Sequence, residues 1–381
     1  MMTHLFPTYA RLDLSVKEAT GVTVTDIDGK QYLDCAAGIG VLNLGHRHPN
    51  VQKAVESQLN QYWHMSNLYH MPIQETVATK LAHHSVGDYV FFANSGAEAN
   101  EAAIKLARKA TGKSKIITFD QSFHGRTFAT MAATGQEKIQ KGFGPLLETF
   151  VYTNYNDSEA LETIADDQTA AIMLEMIQGE GGVIPAEQAF IDTIKHVAQK
   201  HNILIIVDEI QTGIGRTGKR FAYEHYGLQP DIITLAKGLG NGLPIGAMVA
   251  KQALGEEFGP GSHGSTFGGN PLSLAAANEV IDTIFADDFL KEVEEKSTYL
   301  CNALKHKLEH NPAIKDIRGA GLMVGIEHEE AASPFVQALL KEGLLVLSAG
   351  TNVIRLLPPL TIQYKEIDKA VELITTVLNK S

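Results

Sequence analysis

A lysine, an aspartate and a serine each follow a run of apolar residues in this sequence. Lys237 comes directly after DIITLA and before three closely spaced glycines, Asp208 comes after ILIIV, and Ser95 comes shortly after YVFF. A partly desolvated lysine has a lowered pKa and becomes nucleophilic enough to form a Schiff base. A carboxylate at the end of a buried strand needs a partner, which could be an arginine or the protonated ring nitrogen of a cofactor.

Ser95 and Glu98 have the spacing of a capping box at the start of a helix. Taken alone, this segment indicates only a well-capped helix. Its backbone N–H groups, its hydroxyl and the helix N-terminus would also favour a phosphate dianion, bound by Ser95, Gly96 and Ala97. A phosphate cup, a strand-end aspartate and a strand-end lysine, in that order, fit pyridoxal 5′-phosphate (PLP) better than any other cofactor.

Short apolar runs alternate with amphipathic segments through the middle of the chain. The runs lack polar alternation, as is typical of strands covered on both faces, and they cover residues 89–92, 115–119, 170–174, 203–207, 231–236 and 245–250. Apolar residues at helical spacing predict helices over 97–110 and 187–201, and Asp157 and Glu159 indicate a further helix start. This alternation predicts a mostly parallel α/β sheet, which binds ligands at the carboxyl ends of its strands.

The composition argues against several kinds of partner. The 381 residues include 32 Lys and Arg and 44 Asp and Glu, a net charge of −12, with no block of like charges, so we expect neither nucleic acid nor membrane as a partner. The two cysteines lie far apart, the N-terminus lacks signal-peptide features, and no apolar run approaches the length of a membrane helix. We expect a cytoplasmic protein. His46 and His48 lack an obvious third ligand, so we expect a turn there and no metal site.

Seven segments in register resemble the class III, or ornithine/acetylornithine type, aminotransferases of the fold-type I PLP enzymes. They are NSGAEAN, SFHGRT, EMIQGEGG, VDEIQTGIGRTG, LAKGLGNGLPIGA, STFGGNPL and VIRLLPP, and the resemblance covers nearly the whole chain. It implies an α/β fold with a large PLP-binding domain, which has a mostly parallel sheet between helices, and a smaller α+β domain. We expect the large domain to cover residues 51–285, and the smaller one to combine residues 1–50 with residues 286–381.

The resemblance also implies roles in binding PLP. Lys237 resembles the Schiff-base lysine, which moves the proton during catalysis, and Asp208 resembles the residue that keeps the pyridine nitrogen protonated. Gln211 resembles the partner of the phenolic oxygen, and Phe123 resembles the aromatic residue that stacks on the ring. Thr266 matches a threonine that reaches the phosphate in the neighbouring subunit, which implies a homodimer.

Three other residues resemble those that bind the substrates in this family. Arg126 resembles the residue that binds the distal carboxylate, and Arg355 resembles the one that binds the α-carboxylate of glutamate. Glu180 resembles a switch that pairs with Arg355 until glutamate binds. For His124 we expect a structural role, because Lys237 already supplies the base. We expect Arg216 to anchor a loop by pairing with a carboxylate.

The choice of amino donor rests on the position of Ile39. Ornithine aminotransferases usually carry a tyrosine there, and an apolar lining suits an acylated amine better than a free ammonium. We therefore expect transfer of the δ-amino group of N2-acetylornithine to 2-oxoglutarate, giving N-acetylglutamate 5-semialdehyde and glutamate, a step of arginine biosynthesis. Three alternatives remain open. They are an ornithine δ-aminotransferase, a γ-aminobutyrate or other ω-amino acid aminotransferase, and a non-catalytic regulator, which would be free to lose the lysine or an arginine.

Overall fold

The computed structural model describes residues 4–380. Residues 1–3 and 381, at the ends of the two segments predicted for the smaller domain, lie outside the described residues. The strands are β1 (Val16–Thr20), β2 (Thr23–Asp26), β3 (Gln31–Asp34), β4 (Tyr89–Ala93), β5 (Lys115–Phe119), β6 (Phe150–Thr153), β7 (Thr169–Leu174), β8 (Ile177–Gln178), β9 (Ile184–Pro185), β10 (Leu204–Asp208), β11 (Ile232–Leu235), β12 (Gly246–Ala250), β13 (Ile314–Ala320), β14 (Met323–His328), β15 (Leu344–Leu345), β16 (Leu347–Ala349) and β17 (Val353–Leu356).

The helices are α1 (Ala37–Gly40), which is a single turn with positive φ, α2 (Pro49–Leu59), α3 (Pro72–His84), α4 (Gly96–Thr111), α5 (Phe128–Ala133), α6 (Glu137–Gln140), α7 (Ser158–Ile164), α8 (Gln188–His201), α9 (Pro271–Ile284), α10 (Asp287–Leu308), α11 (Ala332–Lys341) and α12 (Tyr364–Leu378). Short 3-10 helices cover Ala222–Tyr226, Lys237–Leu239 and Gln252–Phe258. No helix among residues 4–380 is long and apolar enough to cross a membrane.

A seven-stranded sheet in the order β4-β12-β11-β10-β7-β5-β6 is the centre of the structure. All its strands run parallel except β12, which is antiparallel to both of its neighbours. The predicted mostly parallel α/β sheet is confirmed. Strand β6 was not predicted from the sequence because it is short, lies at the edge of the sheet and is only partly buried.

Each face of this sheet is covered by a helix that the apolar spacing predicted. Alternate strand residues, such as Ile206 and Ile232, pack in one apolar cluster with the alanine-rich face of α4. Their sequence neighbours Val207 and Ile233 pack in a second cluster with α8. Because successive side chains of a strand point to opposite faces, strands without polar alternation are buried on both sides.

Two smaller sheets involve the ends of the chain. One has the order β1-β2-β3-β15, so it pairs strands near the N-terminus with a strand near the C-terminus. The other has the order β13-β14-β17-β16 and is called the C-terminal sheet below. The division into domains at residues 50 and 285 remains a prediction.

Candidate active site

A cavity of about 420 Å³ lies where β10 and β11 end. The structure brings most of the predicted site residues to its wall, and these are Ser95, Gly96, Ala97, Phe123, Arg126, Glu180, Asp208, Gln211 and Lys237. Arg355 does not line the cavity but bonds to residues that do. Thr266 lies elsewhere, exposed, and lines a separate cavity with Leu68 and His263.

Helix α4 begins at this cavity, with Ser95 as its N-cap. The Ser95 hydroxyl accepts a hydrogen bond from the N–H of Glu98 at 3.2 Å. The full capping box is not formed, because the Glu98 carboxylate accepts from the backbone and side-chain amides of Asn94 instead, each at 2.8 Å. The N–H groups of Gly96 and Ala97 have no acceptor within the helix, which leaves them available to an anion in the cavity.

Asp208 is a buried carboxylate at the end of β10, with three hydrogen-bond donors around it. Its Oδ2 accepts from Asn100 Nδ2 and contacts His124 Nδ1, both at 2.8 Å, and its Oδ1 accepts from the N–H of Ile210 at 3.0 Å. These three bonds hold the carboxylate in one orientation at the cavity. The contact fits a structural role for His124.

Asn100 is a site residue that the sequence analysis missed. It is completely buried, and it also donates to the carbonyl of His124 at 2.7 Å and accepts from the Thr234 hydroxyl at 2.6 Å. The sequence could have identified it, because Asn100 lies among the alanines on the buried face of α4. A polar side chain on such a face has to find partners in the interior.

Lys237 is the first residue of the 3-10 helix that follows β11. It is half-buried, its φ is +43°, and its amine has no partner among the residues that the structure describes. Burial lowers the pKa of the amine to about 8, although the charge of Glu180 acts in the opposite direction. An amine with this pKa is neutral in about a tenth of the molecules at pH 7, far more than an ordinary lysine, so it can act as a nucleophile and a base.

Glu175, like Asp208, is a buried carboxylate at the cavity. The sequence analysis did not identify it. Its Oε1 accepts from the N–H of Phe123 at 2.9 Å, and its Oε2 accepts from the N–H of Gly179 at 3.2 Å. Burial raises the pKa of this carboxyl to about 7, and the charge of Asp208 adds to the rise. Glu175 follows the apolar strand β7 as Asp208 follows β10, so the same pattern could have identified it.

Arg355 is buried next to the cavity and is held by three acceptors. Its Nη1 donates to Glu180 Oε1 at 2.7 Å, to the carbonyl of Gly179 at 2.8 Å and to Gln211 Oε1 at 3.0 Å. Burial alone would raise the pKa of Glu180, but the guanidinium beside it brings that pKa below its usual value. Arg126, in contrast, is exposed and forms no ion pair with any described residue.

Two expectations about other residues were wrong. Ile39 does not line the cavity, because the turn Ala37–Gly40 has positive φ throughout and leaves Ile39 44% exposed, and Val41 lines the cavity instead. Arg216 is not paired with a carboxylate, since its bonds go to two carbonyls and an asparagine.

His46 belongs to a turn in which its Nε2 contacts Asp34 Oδ2 at 2.8 Å.

Comparison with known proteins identifies the family. The family model "Aminotransferase class-III" matches residues 7–378. The chain belongs to this family. The aminotransferase is 57% identical to the acetylornithine aminotransferase of Bacillus subtilis (strain 168), over 97% of this chain and 96% of that one.

Solved structures of similar proteins share the fold over nearly the whole chain. The ornithine aminotransferase of Toxoplasma gondii ME49 matches with a TM-score of 0.95 at 31% identity, covering 99% of this chain and 93% of that one. The N-acetylornithine aminotransferase of Stenotrophomonas maltophilia K279a matches with a TM-score of 0.86 at 34% identity, covering 98% and 97%. The predicted family and fold type are confirmed.

Class-III aminotransferases depend on PLP, and the cavity fits this cofactor. A lysine amine without a partner among the described residues, a buried carboxylate and the N–H groups at a helix N-terminus all face one space. These groups complement an aldehyde, a protonated ring nitrogen and a phosphate, in that order. This aminotransferase is a PLP-dependent enzyme.

Proposed function

We propose that this aminotransferase transfers the δ-amino group of N2-acetylornithine to 2-oxoglutarate, giving N-acetylglutamate 5-semialdehyde and glutamate, as a cytoplasmic step of arginine biosynthesis. The observation that carries the proposal is the ion pair between Arg355 and Glu180, at a cavity where Arg126 forms no ion pair with a described residue. The 57% identity to an acetylornithine aminotransferase supports this choice of donor.

The two arginines suit two unlike substrates in one cavity. With Arg355 neutralised by Glu180, an amino donor with a single carboxylate binds through Arg126. The oxo acid has two carboxylates, and its α-carboxylate takes Arg355 from Glu180. A guanidinium can bind a carboxylate through two parallel hydrogen bonds, which makes this exchange favourable.

The wall of the cavity favours an acylated donor over free ornithine. Val41 gives it an apolar surface, and Glu180, the carboxylate nearest to Arg355, is already paired. The free α-ammonium of ornithine would lose water there without gaining a counter-ion. An acetylated nitrogen carries no charge and avoids this cost.

Five residues would hold the cofactor at its phosphate and ring. The Ser95 hydroxyl and the N–H groups of Gly96 and Ala97 would bind the phosphate, and Phe123 would pack against the ring. Asp208, held in place by Asn100 and His124, would hold a proton on the ring nitrogen. When bound, PLP supplies an electron-accepting ring that stabilises negative charge on the substrate carbon next to the reacting nitrogen.

Lys237 and Gln211 complete the roles proposed for this site. The neutral amine of Lys237 would bind the cofactor covalently, and after its release by the substrate it would move the proton at the reacting carbon. Gln211 now accepts from Arg355, so its side chain would turn to the phenolic oxygen of the cofactor when Arg355 binds the oxo acid.

We further propose that the active unit is a homodimer in which Thr266 contacts the phosphate in the other subunit. Thr266 is exposed and does not line the cavity of its own subunit, and large apolar side chains lie close to it. Leu68, in the same surface cavity, is 89% exposed, and Phe267, the next residue, is 60% exposed. Exposed apolar side chains of this size are typical of a protein interface.

An ornithine δ-aminotransferase is the second candidate. The observation in its favour is the TM-score of 0.95 to the ornithine aminotransferase of Toxoplasma gondii ME49. The fold alone does not separate the two donors, because they differ only in an acetyl group. A γ-aminobutyrate aminotransferase would use the same arginines.

The test compares amino donors in the absence of any oxo acid. We expect N2-acetylornithine to bleach the visible absorbance of the bound cofactor at a concentration at least about tenfold lower than ornithine or γ-aminobutyrate. Bleaching that is best with ornithine would establish the second candidate. Lys237→Ala is the control, and it should abolish this absorbance. Absence of the absorbance in the wild-type protein after reconstitution with PLP would show a non-catalytic relative.

A further inference from the structure

Arg216 is an unusual residue because it is a fully buried cation with no carboxylate partner. Its side chain has no exposed surface, and burial lowers the pKa of its guanidinium to about 9. Within residues 4–380 it forms no ion pair, and its Nε has no hydrogen-bond partner. A buried charge of this kind is costly, so its three remaining contacts need an explanation.

The contacts of Arg216 join three separate parts of the chain. Nη1 donates to the carbonyls of Leu322 at 3.0 Å and Pro358 at 2.6 Å, and Nη2 donates to Asn43 Oδ1 at 2.7 Å. Arg216 itself belongs to the loop after β10, and its own carbonyl accepts from the N–H of Leu322 at 3.0 Å. One planar side chain thus bridges the N-terminal segment, the large sheet and the C-terminal sheet.

The two carbonyls lie at one end of the two central strands of the C-terminal sheet. Leu322 precedes β14, and Pro358 follows β17 by two residues. These strands are antiparallel neighbours in which Val324 pairs with Leu356, so both carbonyls are at the same end of the pair. Strand β17 carries Arg355. A shift of this end of the strand pair would therefore move Arg355 relative to the cavity.

Asn43 connects the other side of Arg216 to the turn that carries Lys237. It is 1% exposed, its Nδ2 donates to the carbonyl of Ile214 at 2.7 Å, and its backbone carbonyl accepts from Leu360 at 2.7 Å. Its amide packs so closely on Gly238 that a Cβ there would lie 2.3 Å from Nδ2. Asn43 is thus in contact with the residue that follows Lys237.

We propose that Arg216 and Asn43 are positioning residues that fix the distance between Arg355 and Lys237, and so set the affinity for the dicarboxylate substrate. This inference rests on the proposed function, since it takes Arg355 to bind the α-carboxylate of the oxo acid. A guanidinium suits the task because its rigid fork reaches three acceptors at once, whereas an ammonium is a single point charge. Arg126 is independent of this junction, because it follows β5 and makes no contact with Arg216 or Asn43.

The test uses Arg216→Lys, which keeps the charge but loses the fork. Calorimetry on the PLP-loaded enzyme measures the binding of glutarate, a dicarboxylate that does not react, and of valerate, a monocarboxylate of the same length. We expect the affinity for glutarate to fall about tenfold and that for valerate to change less than about twofold. The KM for 2-oxoglutarate should rise by the same factor as the affinity for glutarate falls, while the KM for the amino donor should not change.

Arg220→Lys is the matched control, because Arg220 lies in the same loop but pairs at the surface with Asp287. It should leave both affinities unchanged. If Arg216→Lys fails to fold, Asn43→Ala replaces it, and we expect a fall in glutarate affinity of about threefold in the same direction. Lowered thermal stability with wild-type affinity for glutarate would overturn the proposal. Failure of the wild-type enzyme itself to accept 2-oxoglutarate would refute the proposed function and this inference with it.

Discussion

At the scale of single residues, Lys237 combines an unfavourable backbone conformation with an amine whose pKa is lowered. A positive φ is uncommon for a residue with a long side chain and is found mostly where the surrounding structure enforces it. Here the following glycine packs against Asn43, and the apolar strand β11 precedes the lysine. The strained turn directs the amine into the cavity, where burial lowers its pKa to about 8.

The lowered pKa predicts how the apoprotein takes up PLP at different pH values. An amine attacks an aldehyde in its neutral form, so the rate of uptake should rise with pH, reach half its maximum near pH 8 and level off above about pH 9. Stopped-flow measurement of the cofactor absorbance gives this rate. N-α-acetyllysine in solution is the control, and its reaction with PLP should still accelerate near pH 10. A protein rate that follows the control would contradict the lowered pKa.

The identities of Lys237 and Asp208 could be predicted because each follows an apolar strand, and in a parallel sheet such positions meet at one edge. Asn100 and Glu175 follow from the same physics but were missed. Asn100 stands within a helix pattern, where a polar residue is usually assigned to the solvent face. The pairing of Gln211 with Arg355 could not be predicted, because it joins two sheets and depends on their packing.

At the scale of elements, helix α4 links the large sheet to the phosphate site. Its N-terminus opens into the cavity, and its buried alanines allow it to lie close to β11 and β12. Six strands of the large sheet and this helix were predicted from local patterns because each is apolar and regular. The left-handed turn Ala37–Gly40 was not predicted, because its non-glycine residues have positive φ, which L-amino acids disfavour.

The N-cap of α4 predicts separate effects on stability and on cofactor binding. Ser95→Ala should lower the free energy of unfolding of the apoprotein by about 1 kcal/mol, because the N–H of Glu98 loses its acceptor. It should also weaken PLP binding, since the hydroxyl faces the phosphate site. Urea unfolding and titration with PLP measure the two effects.

Asp157→Ala is the control for this prediction. Asp157 is the N-cap of α7, where it accepts from the N–H of Ala160 at 2.9 Å, and it does not line the cavity. It should cost a similar stability of about 1 kcal/mol with no change in PLP affinity. Equal effects of the two variants on PLP binding would show that Ser95 acts only through helix stability.

At the scale of the whole molecule, the position of Thr266 predicts that a complete site needs two chains. We expect Thr266→Glu to bind PLP poorly, because a carboxylate would repel the phosphate in the partner subunit. Lys237→Ala should be inactive as well. When the two variants are mixed, unfolded and refolded together, half of the dimers are hybrids, and each hybrid has one site with both native residues.

The mixture should therefore recover about a quarter of the wild-type activity, while each variant alone remains inactive. Activity at a fixed PLP concentration is the measurement, and sedimentation establishes that the mixture is dimeric. A mixture as inactive as its components would place Thr266 in its own subunit's site and would refute the shared arrangement.

The pairing of β3 with β15 has a consequence for synthesis of the chain. Leu33 and Leu344 are partners in this parallel pair, so one edge of β3 has no neighbour until about 310 more residues have been made. At typical rates of translation this interval lasts roughly 15–60 s. An unpaired strand edge is prone to join other chains. The nascent protein therefore exposes an aggregation-prone edge for most of its time on the ribosome, and a chaperone that covers extended segments would raise its yield.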